Sequence, residues 1–145
     1  MNNNMKPALI LVSHGNLGEQ ILESAKFIVG EIEGAHIVSM TMEDGLEGTK
    51  DKLGKILSSL PAGTESLILA DIPGGTPCNA AIEKLFQADN IRLVTGLNLG
   101  MLLEYALSSD EDIDELCAQV HEAGLSSVQI IHRPKGGTEA IEVDD

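Results

Sequence analysis

The chain has 145 residues, the size of one domain with a substantial core. Its hydrophobic content is 43%, but it has no Trp, one Tyr and two Phe, so the core is expected to be aliphatic and few aromatic side chains remain to stack on bases or sugars. The net charge of −14 argues against nucleic-acid binding, because the phosphates would be repelled. It suits a soluble protein, with either a solvated acidic surface or a basic partner.

The ends of the chain and its cysteines indicate a soluble cytoplasmic protein. Cys78 and Cys117 have neither metal-ligand nor Cys-x-x-Cys spacing, so reduced thiols are expected. The first apolar run, Ala8–Val12, is too short for a signal peptide or a membrane span. We expect a disordered leader over 1–6, one domain over 7–133 and a flexible acidic tail over 134–145.

Strand-like and helix-like segments alternate along the chain. In order, the patterns predict strand Ala8–Ser13, a helix ending near Gly30, strand Ala35–Met40, helix 45–60, strand Ser66–Ala70, a helix to about Phe86, strand Ile91–Thr95, helix Met101–Leu107, a helix begun by Ser109-Asp110 and ended by Gly124, and a β-rich run Ser127–His132. This alternation predicts right-handed βαβ units and a parallel α/β sheet. The last run is able to pair at a sheet edge in its own subunit or in a neighbour's.

Two of the predicted strands end on residues that carry chemistry. The first ends on His14 and the third on Asp71. In a parallel sheet both side chains emerge at the carboxyl edge, where ligands of α/β folds collect. A carboxylate that accepts the Nδ1–H of a neutral imidazole leaves Nε2 with a free lone pair, so His14 is the candidate phosphoryl acceptor and Asp71 its orienting partner.

A glycine-rich turn follows Asp71 and opens the third helix. Thr76 is predicted at the N-cap of that helix and Pro77 at its first position. Gly74 and Gly75 allow a close approach of the backbone, and the N–H groups of a helix N-terminus bind phosphoryl oxygens. The hydroxyl of Thr76 adds a further donor.

Other readings of these residues fit less well. For the other histidines, His36, His121 and His132, we expect structural or surface positions, since no His-x-His or His-x-x-x-His spacing marks a metal site. A phosphate-binding loop of nucleotide hydrolases and a Gly-x-Ser-x-Gly elbow are both absent from the sequence. Ser13 beside His14 is a poor nucleophile pair, because neighbours on a strand point to opposite faces. A small hydrolase would need a nucleophile or metal that the sequence does not offer.

Three segments occur in order along the chain: Ile10-Leu-Val-Ser-His14-Gly15, Leu69-Ala-Asp71-Ile-Pro-Gly-Gly-Thr-Pro-Cys-Asn-Ala-Ala81 and Val94-Thr-Gly-Leu-Asn98-Leu99. Together they resemble the IIA component of the mannose-type sugar phosphotransferase system (PTS), the mannose/fructose/sorbose family. The resemblance covers about residues 7–133.

The resemblance implies a phosphoryl carrier. It would accept phosphate from the phosphohistidine of the carrier protein HPr on His14 and pass it to the IIB component, here a separate chain. Asp71 matches the orienting carboxylate and Thr76 the hydroxyl after the double glycine, with Gly15, Gly74 and Gly75 holding the phosphoryl group. No cofactor and no metal are expected, because the donor is itself a phosphohistidine. Contact with the membrane would be indirect, through the IIC and IID components.

The resemblance also implies the fold and the assembly. The family fold is a parallel four-stranded sheet of order 2-1-3-4 flanked by helices, with a fifth antiparallel strand, Ser127–His132 here, exchanged within a homodimer. Two alternatives stay open: the phosphotransfer subunit of a dihydroxyacetone kinase, whose pattern lacks the Gly-Gly-Thr-Pro turn, and a non-catalytic regulatory module of the PTS. The sequence does not name the sugar, since a carrier of phosphate never touches it.

Overall fold

The computed structural model describes residues 5–135 and has an α/β architecture. The strands are β1 (Ala8–His14), β2 (Ala35–Met40), β3 (Ser66–Ala70) and β4 (Ile91–Thr95). The helices are α1 (Leu17–Val29), α2 (Gly45–Ser59), α3 (Thr76–Gln87), α4 (Leu99–Leu107) and α5 (Ile113–Ser126). All strand pairings are parallel, in the order β2-β1-β3-β4, which confirms the predicted fold class and strand order.

Two aliphatic layers cover the two faces of the sheet. Alternate residues of β1 and β3, such as Leu11 and Leu69, pack under α1, α4 and α5. The intervening residues, such as Ile10 and Ile68, pack under α2 and α3. Because strands covered on both faces must be apolar throughout, β1 and β3 read as continuous hydrophobic runs. The expectation of an aliphatic core is confirmed, since the one buried aromatic residue of the described core is Tyr105, on α4.

The strand register aligns the carboxyl ends of β1 and β3. Val12 pairs with Ala70, so His14 and Asp71 lie just beyond the last paired residues of neighbouring strands. From β1 the chain continues to β2 on one side, whereas β3 continues to β4 on the other side. The boundary between β1 and β3 is therefore the topological switch point, the position at which such sheets bind ligands.

Three predicted helix starts are wrong by one to three residues. Helix α4 begins at Leu99 rather than at Met101, because Asn98 is its N-cap and accepts a hydrogen bond from the N–H of Met101. Gly75, with extended backbone, is the N-cap of α3, so Thr76 is the first helical residue rather than the cap. Helix α5 is capped by Asp112, whose carboxylate accepts hydrogen bonds from the N–H groups of Asp114 and Glu115. The predicted Ser109-Asp110 cap fails because several acidic residues in a row all suit an N-cap, and the sequence does not rank them.

The predicted strand Ser127–His132 does not form within the described chain. Residues 128–131 belong to no strand or helix there, and the side chains of Val128 and Ile130 are each 80% exposed. The apolar content that suggested a strand is therefore not buried by this chain's own sheet. Exchange of the segment between two copies stays a prediction. The predicted leader over 1–6 and the acidic tail over 134–145 fall largely outside the described residues.

Among residues 5–135, no helix combines the length and the apolarity that crossing a membrane requires.

Asn98 joins the start of α4 to the end of α5. Its Oδ1 accepts a hydrogen bond from the N–H of Met101, which caps α4, and its Nδ2 donates to the carbonyl of Gly124. Gly124 packs closely against Met101, because an added Cβ would overlap Cε of Met101 and would require that side chain to move. The side chain of Asn98 thus links the first turn of α4 to the last turns of α5.

Replacing Asn98 with alanine is expected to lower the free energy of unfolding by about 1–2 kcal/mol, because both the cap and the link to α5 are lost. The matched control is Asn16→Ala, since Asn16 is the N-cap of α1 but makes no side-chain capping bond. Urea denaturation followed by circular dichroism measures both variants. Equal losses in the two variants would contradict this account of Asn98.

Candidate functional site

His14 and Asp71 form a direct contact across the switch point. Nδ1 of His14 lies 2.8 Å from Oδ2 of Asp71. The His14 side chain is 48% exposed, whereas that of Asp71 is only 8% exposed. The Nδ1 side of the imidazole therefore contacts a largely buried carboxylate, and the rest of the ring remains accessible to solvent and to other molecules.

The Asp71 carboxylate is itself fixed by the backbone. Its Oδ2 accepts a hydrogen bond from the backbone N–H of His14 at 2.8 Å, in addition to the contact with the ring. Its Oδ1 accepts from the backbone N–H of Ile72 at 2.9 Å. With both oxygens occupied as acceptors, the carboxylate favours a proton on Nδ1 of His14. That tautomer leaves Nε2 as a nitrogen with a free lone pair.

Two loops reach this geometry through glycines in left-handed conformations. Gly15 has φ +57° and donates its N–H to the carbonyl of Met40 at the end of β2. Gly74 has φ +81° in the turn after Asp71. These φ values favour glycine, so the sequence requires it directly after His14 and within the turn.

Gly75 lies against the imidazole ring. A Cβ added to Gly75 would lie 2.8 Å from Cε1 of His14 and 3.4 Å from its Nε2. The ring edge that carries Nε2 therefore faces the N-cap of α3, and Thr76 follows in the first turn of that helix. Backbone N–H groups at a helix N-terminus favour an anion, so this is a suitable place for phosphoryl oxygens.

The structure thus brings together the residues that the sequence singled out. His14 contacts Asp71 and Gly75 directly, while Gly15, Gly74 and Thr76 belong to the two surrounding loops. The other histidines lie elsewhere: His36 is on β2, His121 on α5 and His132 beyond it. No group of His, Cys, Asp and Glu within residues 5–135 is arranged to hold a metal ion.

A further polar pair fixes the turn after β2, next to the loop of His14. Nζ of Lys52 donates to Oδ2 of Asp44 at 2.6 Å and to the carbonyl of Ser39 at 3.0 Å. The hydrogen bond from Lys52, followed by that from the backbone of Thr41, lowers the pKa of Asp44 to about 2. The carboxylate therefore stays charged well into the acidic range, and its hydrogen bonds to Lys52 and to the N–H of Thr41 hold this turn in place.

Sequence reasoning missed an apolar rim at the edge of the sheet that carries His14. The exposed large hydrophobic residues on the loops and helix starts at this edge are Leu17, Met42, Leu46 and Ile72, with Met42 96% exposed. Each lies within two residues of a strand end or a helix start, where hydrophobic periodicity alone does not distinguish core from surface positions. An exposed apolar rim is typical of a surface that meets another protein.

The fold and the His–Asp pair define a class: a parallel α/β protein with a histidine presented at the switch point of its sheet. A family model described as "PTS system fructose IIA component" matches residues 8–121. The chain therefore belongs to the EIIA family of the mannose-type sugar phosphotransferase system.

Individual relatives agree with the family. The chain is 30% identical over 129 residues to the mannose-specific EIIAB component of Escherichia coli, covering 88% of this chain but only 40% of that protein. It is 33% identical over 104 residues to the sorbose-specific EIIA component of Lacticaseibacillus casei, covering 70% of this chain and 73% of that protein. A solved structure, the mannose/sorbose-specific IIA subunit from Enterococcus faecalis, is 48% identical with a TM-score of 0.85, covering 90% of this chain and 98% of that one.

Asp71→Asn is expected to disturb the imidazole without unfolding the protein. An amide –NH₂ in place of either oxygen would face an N–H donor, at Ile72 or at His14. The fraction of His14 with its proton on Nδ1 should therefore fall, which ¹⁵N chemical shifts of the ring nitrogens measure. The control is Asp51→Asn, an exposed carboxylate on α2. An unchanged tautomer in the Asp71 variant would contradict the orienting contact.

Proposed function

We propose that this protein is a cytoplasmic phosphoryl carrier of the sugar phosphotransferase system, with His14 as the residue that carries the phosphoryl group. The observation that supports this most strongly is the 2.8 Å contact between Nδ1 of His14 and the buried carboxylate of Asp71, which leaves the Nε2 edge open beside Gly75. Membership of the EIIA family supports the same reaction class.

The transfer follows from this geometry. The Nε2 lone pair of His14 attacks the phosphorus of a phosphohistidine on HPr; the new N–P bond forms as the old one breaks, and the imidazole of HPr leaves. The His14 ring, still protonated on Nδ1, becomes positively charged. The Asp71 carboxylate at 2.8 Å stabilises that charge. The reverse change occurs when the IIB component takes the phosphoryl group.

The phosphoryl oxygens need donors during the time in which His14 carries them. We assign this role to the N–H groups at the start of α3, beyond Gly75, together with the hydroxyl of Thr76. Gly15 and Gly74 allow the two loops to approach the group. The donor phosphohistidine is already activated, so the transfer calls for neither a metal nor a nucleotide.

The surface around His14 suits exchange with other proteins. The apolar rim of Leu17, Met42, Leu46 and Ile72 lies at the same edge of the sheet as the histidine and offers area to HPr and to IIB in turn. In a carrier the histidine must be reached by another protein's histidine, and the 48% exposure of the His14 side chain allows this.

His14→Ala is expected to abolish the uptake of acid-labile phosphate from phosphorylated HPr, because no other side chain in this site offers a comparable nucleophile. Incubation with ³²P-labelled phospho-HPr and counting of the protein band measures it. His121→Ala, in an exposed position on α5, is the control and should label like the wild type. Labelling of the His14 variant would point to another acceptor.

We also propose that two copies assemble by exchanging Ser127–His132. The support is the exposure of Val128, Ile130 and Ile131, a β-rich apolar segment that is left uncovered at the end of α5. β4 lies at one end of the sheet, and within residues 5–135 no strand pairs with its outer edge. A strand from a second copy could therefore pair there.

Ile130→Lys is therefore expected to shift the protein from dimer to monomer, because a charge would enter the apolar strand interface. Analytical ultracentrifugation over a concentration series measures the change. Phe86→Lys serves as the matched control, since Phe86 is similarly exposed, at 82%, but lies on α3. A wild-type monomer, or an unchanged dimer in the Ile130 variant, would contradict the exchange.

A further inference from the structure

Ser13 is a buried polar residue in an otherwise apolar strand. It is fully buried in β1, as are Leu9 and Leu11, and alternation along the strand puts all three on the face that α1 covers. Gly18 of α1 lies directly against this face, where an added Cβ would be 3.2 Å from Cβ of Leu11 and 3.4 Å from Oγ of Ser13. A position that suits an aliphatic side chain is thus occupied by a hydroxyl.

The hydroxyl of Ser13 makes two hydrogen bonds to the loop that follows it. It donates to the carbonyl of Gly15 at 3.1 Å and accepts from the N–H of Gly18 at 3.0 Å. The N-cap of α1, Asn16, makes no side-chain capping bond. The acceptor for the helix N-terminus is therefore supplied from the strand, not from the usual capping position.

These two bonds determine how the loop of His14 is held. In a trans peptide the C=O and the N–H point in opposite directions, and the described chain contains no cis peptide. Because the Gly15 carbonyl points inward to Ser13, the N–H of Asn16 points outward, away from the core. The loop from His14 to Gly18 is thereby fixed at its middle and at its end.

We propose that Ser13 is a positioning residue for phosphoryl transfer at His14, acting by fixing the Gly15–Asn16 peptide and the start of α1. This inference rests on the proposed carrier function. Removing the hydroxyl leaves the buried N–H of Gly18 and the partly buried carbonyl of Gly15 without their partner, so the loop relaxes to satisfy them elsewhere. The imidazole, which the same loop carries, then loses its alignment with Asp71.

The test compares Ser13→Ala with Ser13→Thr, which keeps the hydroxyl, and with Ser66→Ala. Ser66 is a matched control because it is also a buried serine of a strand, 1% exposed, but lies at the opposite end of the sheet. Single-turnover transfer from phospho-HPr gives the rate and the half-saturating concentration. Hydrogen exchange of the Asn16 and Gly18 amides reports the hydrogen bonding of the loop, and the ¹⁵N shifts of His14 report its tautomer. Neither measurement requires phosphorylation.

Ser13→Ala is expected to lower the transfer rate about tenfold, with the half-saturating concentration of phospho-HPr unchanged. The exchange of the Gly18 amide should accelerate and the Nδ1-protonated fraction of His14 should fall. Ser13→Thr should restore rate and tautomer to within about twofold of the wild type. Ser66→Ala should change neither.

Three results would overturn the proposal: a wild-type rate in Ser13→Ala, an equal loss in Ser66→Ala, or no rescue in a folded Ser13→Thr. If Ser13→Ala does not fold, Ser13→Cys, with a similar volume and a weaker hydrogen-bonding group, takes its place. Failure of the wild-type protein to accept phosphate would instead overturn the carrier function. In that case the amide exchange and the His14 tautomer still decide whether Ser13 holds the loop.

Discussion

The contact between the Asp71 carboxylate and the Nδ1 edge of His14 is the interaction on which the site depends. It joins two neighbouring strands at the point where the chain leaves each of them, and it sets which ring nitrogen is available. Because Asp71 also accepts the backbone N–H groups of His14 and Ile72, the carboxylate fixes both loops as well as the ring. One buried acid therefore links the local chemistry to the topology of the sheet.

The rest of the structure serves to keep these loops in register. The pairing of Val12 with Ala70 aligns the strand ends, and aliphatic layers cover both faces of these strands. The left-handed conformations of Gly15 and Gly74 bring the backbone around the histidine, while Gly75 leaves room for its ring. Within the apolar layer under this edge, the hydroxyl of Ser13 forms hydrogen bonds to the backbone of Gly15 and Gly18.

The sequence predicts the sheet well because buried parallel strands have an unmistakable composition. The bounds of β2, β3 and β4 agree with the apolar runs, and the pairing of His14 with Asp71 follows from strand ends meeting at one edge. The sequence predicts helix starts less well, because several acidic residues precede α5 and each of them suits an N-cap. Only the structure identifies Asp112 as the cap. For the segment Ser127–His132 the composition predicts β-structure, but it does not say which chain supplies the neighbouring strand.

The most direct test of the account is ³¹P–¹⁵N correlation on the phosphorylated, ¹⁵N-labelled protein. We predict one phosphorus bound to Nε2 of His14, with a proton still on Nδ1 facing Asp71. Phosphorus on Nδ1 of His14, or on any other side chain, would contradict it, because the Asp71 contact could not then have oriented the acceptor nitrogen.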